Sequence, residues 1–329
     1  MSASLPEPVL SFLREARLAA PDESPSAVAL TGGVSSDIWR VDLAGGTLCV
    51  KGALPRLRVS QVWEAPVERN RYEYEWLRIA GAAAPGAAPR VFAERAGLFA
   101  MEYLDFPVWK ERLRQGDAQP GFAAQVGATL AAIHSSTAGR TEVAARFPTD
   151  AIFHAIRLEP YLLATANKHP ALRTHLEGIS HRTEKTKLCL VHGDVSPKNI
   201  LVSPRGPVFL DAECAWYGDP AFDLAFCLNH LFLKCLWVPS AALRFLQCFD
   251  ALKNTYLGGA TWEAPGGLEE RTASLLPGLF LARVDGKSPV EYLTQESDKN
   301  KVREFATRFL LHPVPSLAKL KEEWQRSLT

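Results

Sequence analysis

The chain lacks several features that define whole classes of protein. It has 37 Lys and Arg against 36 Asp and Glu, which gives a formal net charge of +1. A chain this close to neutral has no excess of positive charge that would predict binding to nucleic acid or to an acidic membrane surface. Its six cysteines form no CxxC pair, and most lie in apolar stretches, where cysteine behaves as a small hydrophobe. These absences indicate a reduced, cytoplasmic protein.

Segments for targeting or for crossing a membrane are also missing from the sequence. The N-terminal stretch has no basic start before an apolar core, which weighs against a signal peptide. The most apolar run, residues 224–237, contains Asn, His and Lys and is too short to span a bilayer. We therefore expect no membrane partner.

The chain contains a strand-rich part followed by a helix-rich part. With 329 residues, it is long enough for two domains. The first part shows an amphipathic helix, three short strands with Gly-Gly turns, another helix and a hairpin, at residues 5–20, 27–53, 67–80 and 90–104. Helical patterns then dominate, at residues 121–137, 149–167, 170–182 and 220–329, with short strands near 188–191 and 207–211. The pattern predicts an α+β fold with lobes 1–104 and 105–329.

One loop between two apolar runs concentrates polar side chains that could act together. In "LVHGDVSPKNILV", Asp194 precedes Asn199 by five residues, and Asp211 ends the apolar run "VFLD" twelve residues later. Hard oxygen ligands at a strand end suit Mg²⁺, which takes few protein carboxylates. The spacing predicts metal binding by Asn199 and Asp211 while Asp194 accepts a proton from an attacking hydroxyl, as in phosphoryl transfer.

Three earlier segments supply groups that could meet a phosphate. The Gly32-Gly33 turn in "TGGVSSDIWRV" would let backbone N–H groups approach phosphate oxygens, or it only closes a hairpin. Lys51 in the apolar strand "CVKGA" either meets an anion or reaches solvent. Glu73, on the following helix, either holds the Lys51 ammonium in place or is a solvated helix residue.

The loop and the residues after it resemble a known motif. "HGDVSPKN" followed by "FLDAECAWYGDPAFDLA" is similar to the Brenner motif of the aminoglycoside phosphotransferase and choline kinase superfamily. The resemblance covers roughly residues 28–235. It implies a bilobal protein-kinase-like fold with an N-terminal antiparallel sheet plus helix and a mostly helical C-terminal lobe. It also implies that ATP and Mg²⁺ bind between the lobes.

The resemblance assigns further roles to residues of this chain. It implies a nucleotide loop that contains Gly32, Gly33, Ser35 and Ser36, with Lys51 as its phosphate lysine and Glu73 as the helix partner of that lysine. "FAMEYL" resembles the hinge segment of this family, in which the Glu102 carbonyl and the Leu104 N–H would form hydrogen bonds with adenine, beside Met101. Lys198 either stabilises the transferring phosphate or faces solvent. His192 and Asp223 are expected to be structural, with Asp223 accepting hydrogen bonds from the backbone of the catalytic loop.

Within this superfamily the sequence is most similar to methylthioribose kinases. The similar segments are "VKGALPRLRVSQVWEAPVERNRYEYEWL", the Asp-x-Glu of "LDAE" and the helix end "GLFLARVDG". They imply that Glu213 binds metal, although it could be an exposed loop acid. They also imply acceptor contacts from Arg283 and Asp285, which could instead form a solvated helix end. Arg56 and Arg58 are further candidates for acceptor or phosphate contact.

Three functional hypotheses follow from these residues. The first is a kinase for a sugar-like, methylthioribose-like or amino-alcohol metabolite, and the second is an aminoglycoside phosphotransferase. The third is a non-catalytic nucleotide-binding protein, which would be expected to lack one of Lys51, Asp194, Asn199 and Asp211. All four are present. We expect a nucleotide and a small-molecule acceptor as ligands, and a monomer or homodimer.

Overall fold

An antiparallel sheet, backed by one helix on each face, forms the first third of the protein. The computed structural model describes residues 5–30, 35–56, 58 and 66–328. The sheet has the strand order β1-β2-β3-β5-β4, in which all neighbouring strands are antiparallel. Its elements are α1 (Glu7–Glu15), β1 (Ser26–Ala29), β2 (Ser36–Leu43), β3 (Gly46–Ala53), α2 (Arg69–Ala83), β4 (Val91–Arg95) and β5 (Leu98–Glu102).

The two faces of the sheet have different partners because side chains alternate along each strand. Val41, Val50 and Ala100 pack with α1 in a small separate cluster. Cys49 and Phe99 point the other way and join the main core with Trp76 of α2. Lys51 is two residues from Cys49, so it lies on the α2 face of the sheet.

Helices make up most of the remaining chain, as predicted. The first of them are α3 (Trp109–Arg114), α4 (Pro120–Thr137), α5 (Thr141–Ala144), α6 (Asp150–Phe153), a π-helix (His154–Leu163), α7 (Ala164–Lys168) and α8 (Arg173–Lys185). The later ones are α9 (Ala221–Trp237), α10 (Ala242–Gly259), α11 (Pro265–Asp285), α12 (Glu296–Leu311) and α13 (Leu317–Ser327). In the described ranges no helix is both long and apolar enough to cross a membrane.

Four short strands lie among these helices and hold the polar loop. They are β6 (Cys189–Val191), β7 (Ile200–Ser203), β8 (Gly206–Phe209) and β9 (Trp216–Gly218). β6 pairs with β9, and β7 pairs with β8. The sequence analysis missed β9, because a three-residue strand carries too little pattern and exists here only through its pairing with β6. We propose residue 104 as the boundary between the lobes, since β5 ends at Glu102 and the next helix begins at Trp109.

The helical pattern predicted over 149–167 is not one uniform α-helix. Its central ten residues, His154–Leu163, form a π-helix that contains Pro160. A proline has no N–H for the helical hydrogen bond, and π-helical segments often occur at functional sites. This segment carries Arg157 and Tyr161 to the cleft described below.

All six cysteines are free and buried. This agrees with the prediction that they act as small hydrophobes.

Candidate active site

A cleft of about 540 Å³ lies between the sheet and the helical part of the chain. One wall is formed by β2, β3 and the segment after β5, and the other by the polar loop, the end of β8 and the π-helix. Lys51, Asp194, Asn199 and Asp211 all line this cleft. Four residues from three separated segments therefore converge on one cavity.

Lys51 is held by carboxylates from both sides of the cleft. Its Nζ lies 2.9 and 2.7 Å from the two carboxylate oxygens of Glu73 on α2. The same Nζ lies 2.5 Å from Oδ1 of Asp211. Burial opposes the charge of Lys51, but the carboxylates of Asp211 and Glu73 outweigh it and raise the pKa of Lys51. The lysine is thus a fixed cation where a phosphate could bind.

The backbone of the polar loop is held by a buried acid on α9. Asp223 accepts hydrogen bonds from the backbone N–H of His192, at 2.7 Å, and of Gly193, at 2.8 Å, which confirms the prediction for Asp223. His192 Nε2 lies 3.0 Å from the Leu210 carbonyl, and burial lowers the pKa of His192. A neutral His192 bonded to backbone fits the structural role that we expected.

Gly193 is required at its position for two reasons. Its φ is +80°, and an added Cβ would lie 2.7 Å from the Cys214 carbonyl oxygen. We expect Gly193→Ala to lower the free energy of unfolding by about 2–4 kcal/mol, since it adds both backbone strain and a clash. Urea unfolding would measure this change.

Gly121→Ala is the matched control for that experiment. Gly121 lies in the first turn of α4, and nothing would come within 4 Å of its added Cβ. This variant should leave the free energy of unfolding unchanged or raise it by up to about 1 kcal/mol. Equal unfolding free energies for the two variants would contradict the prediction.

Asp194 lies between two cations that keep it ionised. Its Oδ2 is 3.0 Å from Nη2 of Arg157 and 3.2 Å from Nζ of Lys198. Burial would raise the pKa of Asp194, but Lys198 and Arg157 outweigh burial and lower it. Asn199 Nδ2 donates to the Asp194 carbonyl at 3.1 Å, so the amide side chain fixes the loop on which the acid lies.

Asp211 has an unusual backbone conformation. Its φ of +65° makes it one of three non-glycine residues with positive φ in the described ranges. Such conformations are uncommon outside glycine and cluster at functional sites. Lys51 and Lys198 outweigh the effect of burial and lower the pKa of Asp211, so its carboxylate is ionised at the cleft.

The residues around Asp211 suit a metal that uses few protein ligands. Across the described residues no group of three or more His, Cys, Asp and Glu side chains could hold a metal ion. Asp211 and Asn199 do line the cleft and offer carboxylate and amide oxygens. This donor set fits Mg²⁺, which binds through one or two carboxylates together with substrate phosphates.

Glu213 also reaches the cleft, but one of its oxygens is already paired. Its Oε2 accepts from Nε of Arg69 at 2.9 Å. Arg69 in turn donates to the backbone carbonyls of Ser35, at 2.6 Å, and Leu54, at 2.7 Å. The pair connects the chain after Asp211 to the start of β2. Metal binding by Glu213 stays a prediction.

The remaining predicted nucleotide residues line the same cleft where the structure describes them. Ser35, Ser36, Met101, Glu102 and Leu104 are among its lining residues. The Glu102 N–H donates to the Arg90 carbonyl at 2.8 Å, and β5 ends there. Gly32 and Gly33 lie outside the described residues.

The predicted acceptor residues are separated by the structure. Arg283 lies just behind the cleft, where Nη1 donates to the Tyr161 hydroxyl at 3.1 Å. Asp285 is instead paired with His169 Nε2 and with Arg303, each at 2.8 Å. Asp285 is not among the described residues that line the cleft.

Arg56 and Arg58 are also not among the described residues that line the cleft. Arg58 forms an ion pair with Asp37. Residues 57 and 59–65 of the same loop lie outside the described residues.

Sequence reasoning missed several residues of the cleft. They are Arg69, Lys110, Arg157, Tyr161 and Ser288. Arg157 is the most informative of them, because it is 6% exposed and pairs with Asp194. An arginine within the apolar run of "AIRLEPYLL" is an available signal, since a buried arginine needs an anionic or carbonyl partner.

The chain is similar to known proteins in sequence and in fold. The curated relatives include a methylthioribose kinase of Yersinia pseudotuberculosis, 26% identical over 231 residues. That match covers 61% of this chain and 57% of the relative, so the chain matches little more than half the length of the curated protein.

Solved structures with similar folds have lower sequence identity. One is an amicoumacin kinase in complex with AMP-PNP, Ca²⁺ and Ami, with a TM-score of 0.56, 11% identity and coverage of 95% of this chain and 96% of the other. Another is a Plasmodium vivax ethanolamine kinase, with a TM-score of 0.54, 15% identity and coverage of 93% and 88%. These similarities show the fold, which is the bilobal kinase-like fold predicted from the sequence.

The family comparison covers most of the cleft residues. The phosphotransferase enzyme family, abbreviated APH, matches residues 26–252. This range contains Lys51, Glu73, Asp194, Asn199 and Asp211. Since the match extends over more than half of the sequence, the chain belongs to the phosphotransferase enzyme family.

Proposed function

We propose that this protein transfers the γ-phosphoryl group of ATP to a hydroxyl of a small polar metabolite, with Mg²⁺ as cofactor. The observation that carries the proposal is the convergence of Lys51, Asp194, Asn199 and Asp211 on one cleft. The membership of the chain in the phosphotransferase enzyme family also supports this proposal. The similarity to methylthioribose kinase favours a sugar-like acceptor.

The nucleotide would bind against the N-terminal wall of the cleft. The segment Met101–Leu104 would receive the adenine, because it lines the cleft and its last two residues lie beyond the end of β5. Lys51, fixed by Glu73, would bind phosphate oxygens as a point charge. Asp211 and Asn199 would hold Mg²⁺, which neutralises charge on the phosphates when bound.

The acceptor hydroxyl would bind beside Asp194. The carboxylate accepts a hydrogen bond from the hydroxyl and orients its oxygen toward the γ-phosphorus. The new O–P bond forms as the bond to the β-phosphate oxygen breaks, ADP leaves, and the hydroxyl proton passes to Asp194. Because the pKa of Asp194 is lowered, the acid serves chiefly to orient the hydroxyl in a loose transition state, where proton transfer is late.

An ADP-release assay tests this proposal directly. With MgATP we expect ADP release that depends on an added hydroxyl acceptor and is abolished by EDTA. The acceptors to compare are methylthioribose, ribose, ethanolamine and kanamycin, which separate the metabolite kinase from the aminoglycoside phosphotransferase. A protein whose melting temperature rises with ATP but which releases no ADP with any acceptor would instead be a nucleotide-binding protein without transfer activity.

A further inference from the structure

A group of basic side chains lies at the end of the cleft where the acceptor would bind. Helix α9 places Phe226, His230 and Lys234 at intervals of four residues, on one face of the helix. The His230 ring lies 5.5 Å from Phe226, whose ring lies 5.4 Å from that of Tyr161 in the cleft wall. The basic cluster comprises Lys110, Arg157, Lys198, His230, Lys234 and Arg283.

Positive charge exceeds negative charge in this cluster. The ion pairs of its lysines and arginines involve two carboxylates, Asp194 and Glu291. Asp194 is shared by Arg157 and Lys198, and Glu291 pairs with Lys110. Neither Lys234 nor Arg283 has an ion pair with any residue that the structure describes. An acceptor at this end of the cleft therefore meets a surplus of cations.

Lys234 is the most deeply buried basic residue of this cluster. The residue is 1% exposed, and its Nζ lies 4.0 Å from the Trp237 ring centroid and 3.7 Å from that of Tyr292. These cation–π contacts offset only part of the cost of burying an ammonium group. Burial lowers the pKa of Lys234 to about 6. A buried lysine that forms no ion pair destabilises a fold, and such groups are typical of functional sites.

Two further nitrogens of the cluster are buried without a hydrogen-bond partner. They are Nε2 of His230 and Nε of Arg283, for which the described part of the chain offers no hydrogen-bond partner. The two residues are 5% and 8% exposed. Arg283 connects to the cleft, because its Nη1 donates to Ser288 Oγ at 3.1 Å and Ser288 lines the cavity. A buried polar atom without a hydrogen-bond partner needs an explanation, and a bound ligand that supplies the missing partner would be one.

We propose that the acceptor carries an anionic group, a carboxylate or a phosphate, in addition to the hydroxyl that is phosphorylated. Lys110 and Ser288 would contact this group at the cleft wall, and Arg283 would supply positive charge behind them. Lys234 would gain a proton as the anion binds, because a nearby negative charge raises the pKa of a buried amine. The inference rests on the proposed function and names its substrate class. Polycationic aminoglycosides and amino alcohols would meet like charge here and lose affinity.

Matched acceptors test the proposal on the whole protein. ADP release would be compared for galacturonate, galactose and galactosamine, and for ribose 5-phosphate and ribose. We expect kcat/KM at least about 10-fold higher for an anionic member than for its neutral partner. The galactose series tests for recognition of a carboxylate, and the ribose series tests for recognition of a phosphate. A neutral or amino sugar that equals or exceeds its anionic partner in kcat/KM would overturn the inference.

Lysine variants locate the effect in the basic cluster. Lys110→Met and Lys234→Met should each lower the ratio of kcat/KM for the anionic over the neutral acceptor by about 10-fold, mainly through KM. Lys168→Met is the control, because Lys168 is exposed on α7 and should leave that ratio unchanged. Lys234→Met should keep or raise the melting temperature, since it removes a buried amine. An unchanged ratio in both cluster variants would contradict the proposal.

Failure of the proposed function would be recognised separately. It would appear as no ADP release from any of the five acceptors. Calorimetry with the MgADP-bound protein then decides the inference, because it measures binding without transfer. Heat of binding for galacturonate or ribose 5-phosphate, and none for galactose or ribose, would support an anionic ligand, and no heat for either anion would overturn it.

Discussion

Asp194→Asn is expected to lower kcat by about 10³- to 10⁴-fold while the affinity for nucleotide stays within a few-fold of wild type. The amide has the size of the carboxylate, but it lacks the negative charge that orients the hydroxyl and it cannot accept the hydroxyl proton. Arg157 and Lys198 lie 3.0 and 3.2 Å from the Asp194 carboxylate, so the variant also loses an anion between two cations. Steady-state ADP release gives kcat, and calorimetry with MgADP gives the nucleotide affinity.

Asp250→Asn is the control for this variant. Asp250 lies on α10 and pairs with Lys321 at 2.6 Å, and it is not among the described residues that line the cleft. Its substitution should leave kcat unchanged. If Asp194→Asn kept more than about a tenth of the wild-type kcat, Asp194 would have no part in proton transfer.

Asp211→Asn is expected to raise the Kd for MgATP by about 10- to 100-fold and also to lower kcat relative to wild type. The variant removes the carboxylate that would bind the metal and that pairs with Lys51 at 2.5 Å. Asparagine also tolerates positive φ, so the +65° backbone conformation of residue 211 is kept. The change therefore reports on charge rather than on backbone strain.

Asp211→Ala provides the comparison that separates these two effects. Alanine removes the charge and also disfavours positive φ, so it should bind MgATP as weakly as Asp211→Asn but have a lower free energy of unfolding. Calorimetry in Mg²⁺ and in EDTA measures the affinities. An unchanged Kd for MgATP in Asp211→Asn would refute the metal assignment.

Local sequence patterns predicted most of the elements that carry the cleft. An apolar run after a Gly-Gly turn indicated a strand at Lys51, and the spacing of apolar residues around Glu73 indicated a helix. The observed bounds, Gly46–Ala53 and Arg69–Ala83, agree with both. The polar loop was located between strands because two apolar runs border it. These predictions succeed because hydrophobic periodicity is a local property.

Contacts between distant residues could not be predicted in the same way. Arg157 and Asp194 are 37 positions apart, and Arg69 reaches Glu213 across 144 positions. Neither arginine stands in a motif that points to its partner. The sequence also grouped Arg283 with Asp285, because the two lie close together near the end of α11. The helix turns them to different neighbours, Tyr161 and Arg303.

The sequence by itself determined the chemistry available to this protein. A histidine, two aspartates and an asparagine at the spacing of a known motif, with one strand lysine, indicate the phosphotransferase family, because the spacing within the motif is short-range information. Only the tertiary structure decided which basic side chains gather at one end of the cleft. Lys110, Lys234 and Arg283 come from three separate helices, and their combined charge acts on a ligand only after packing brings those helices together.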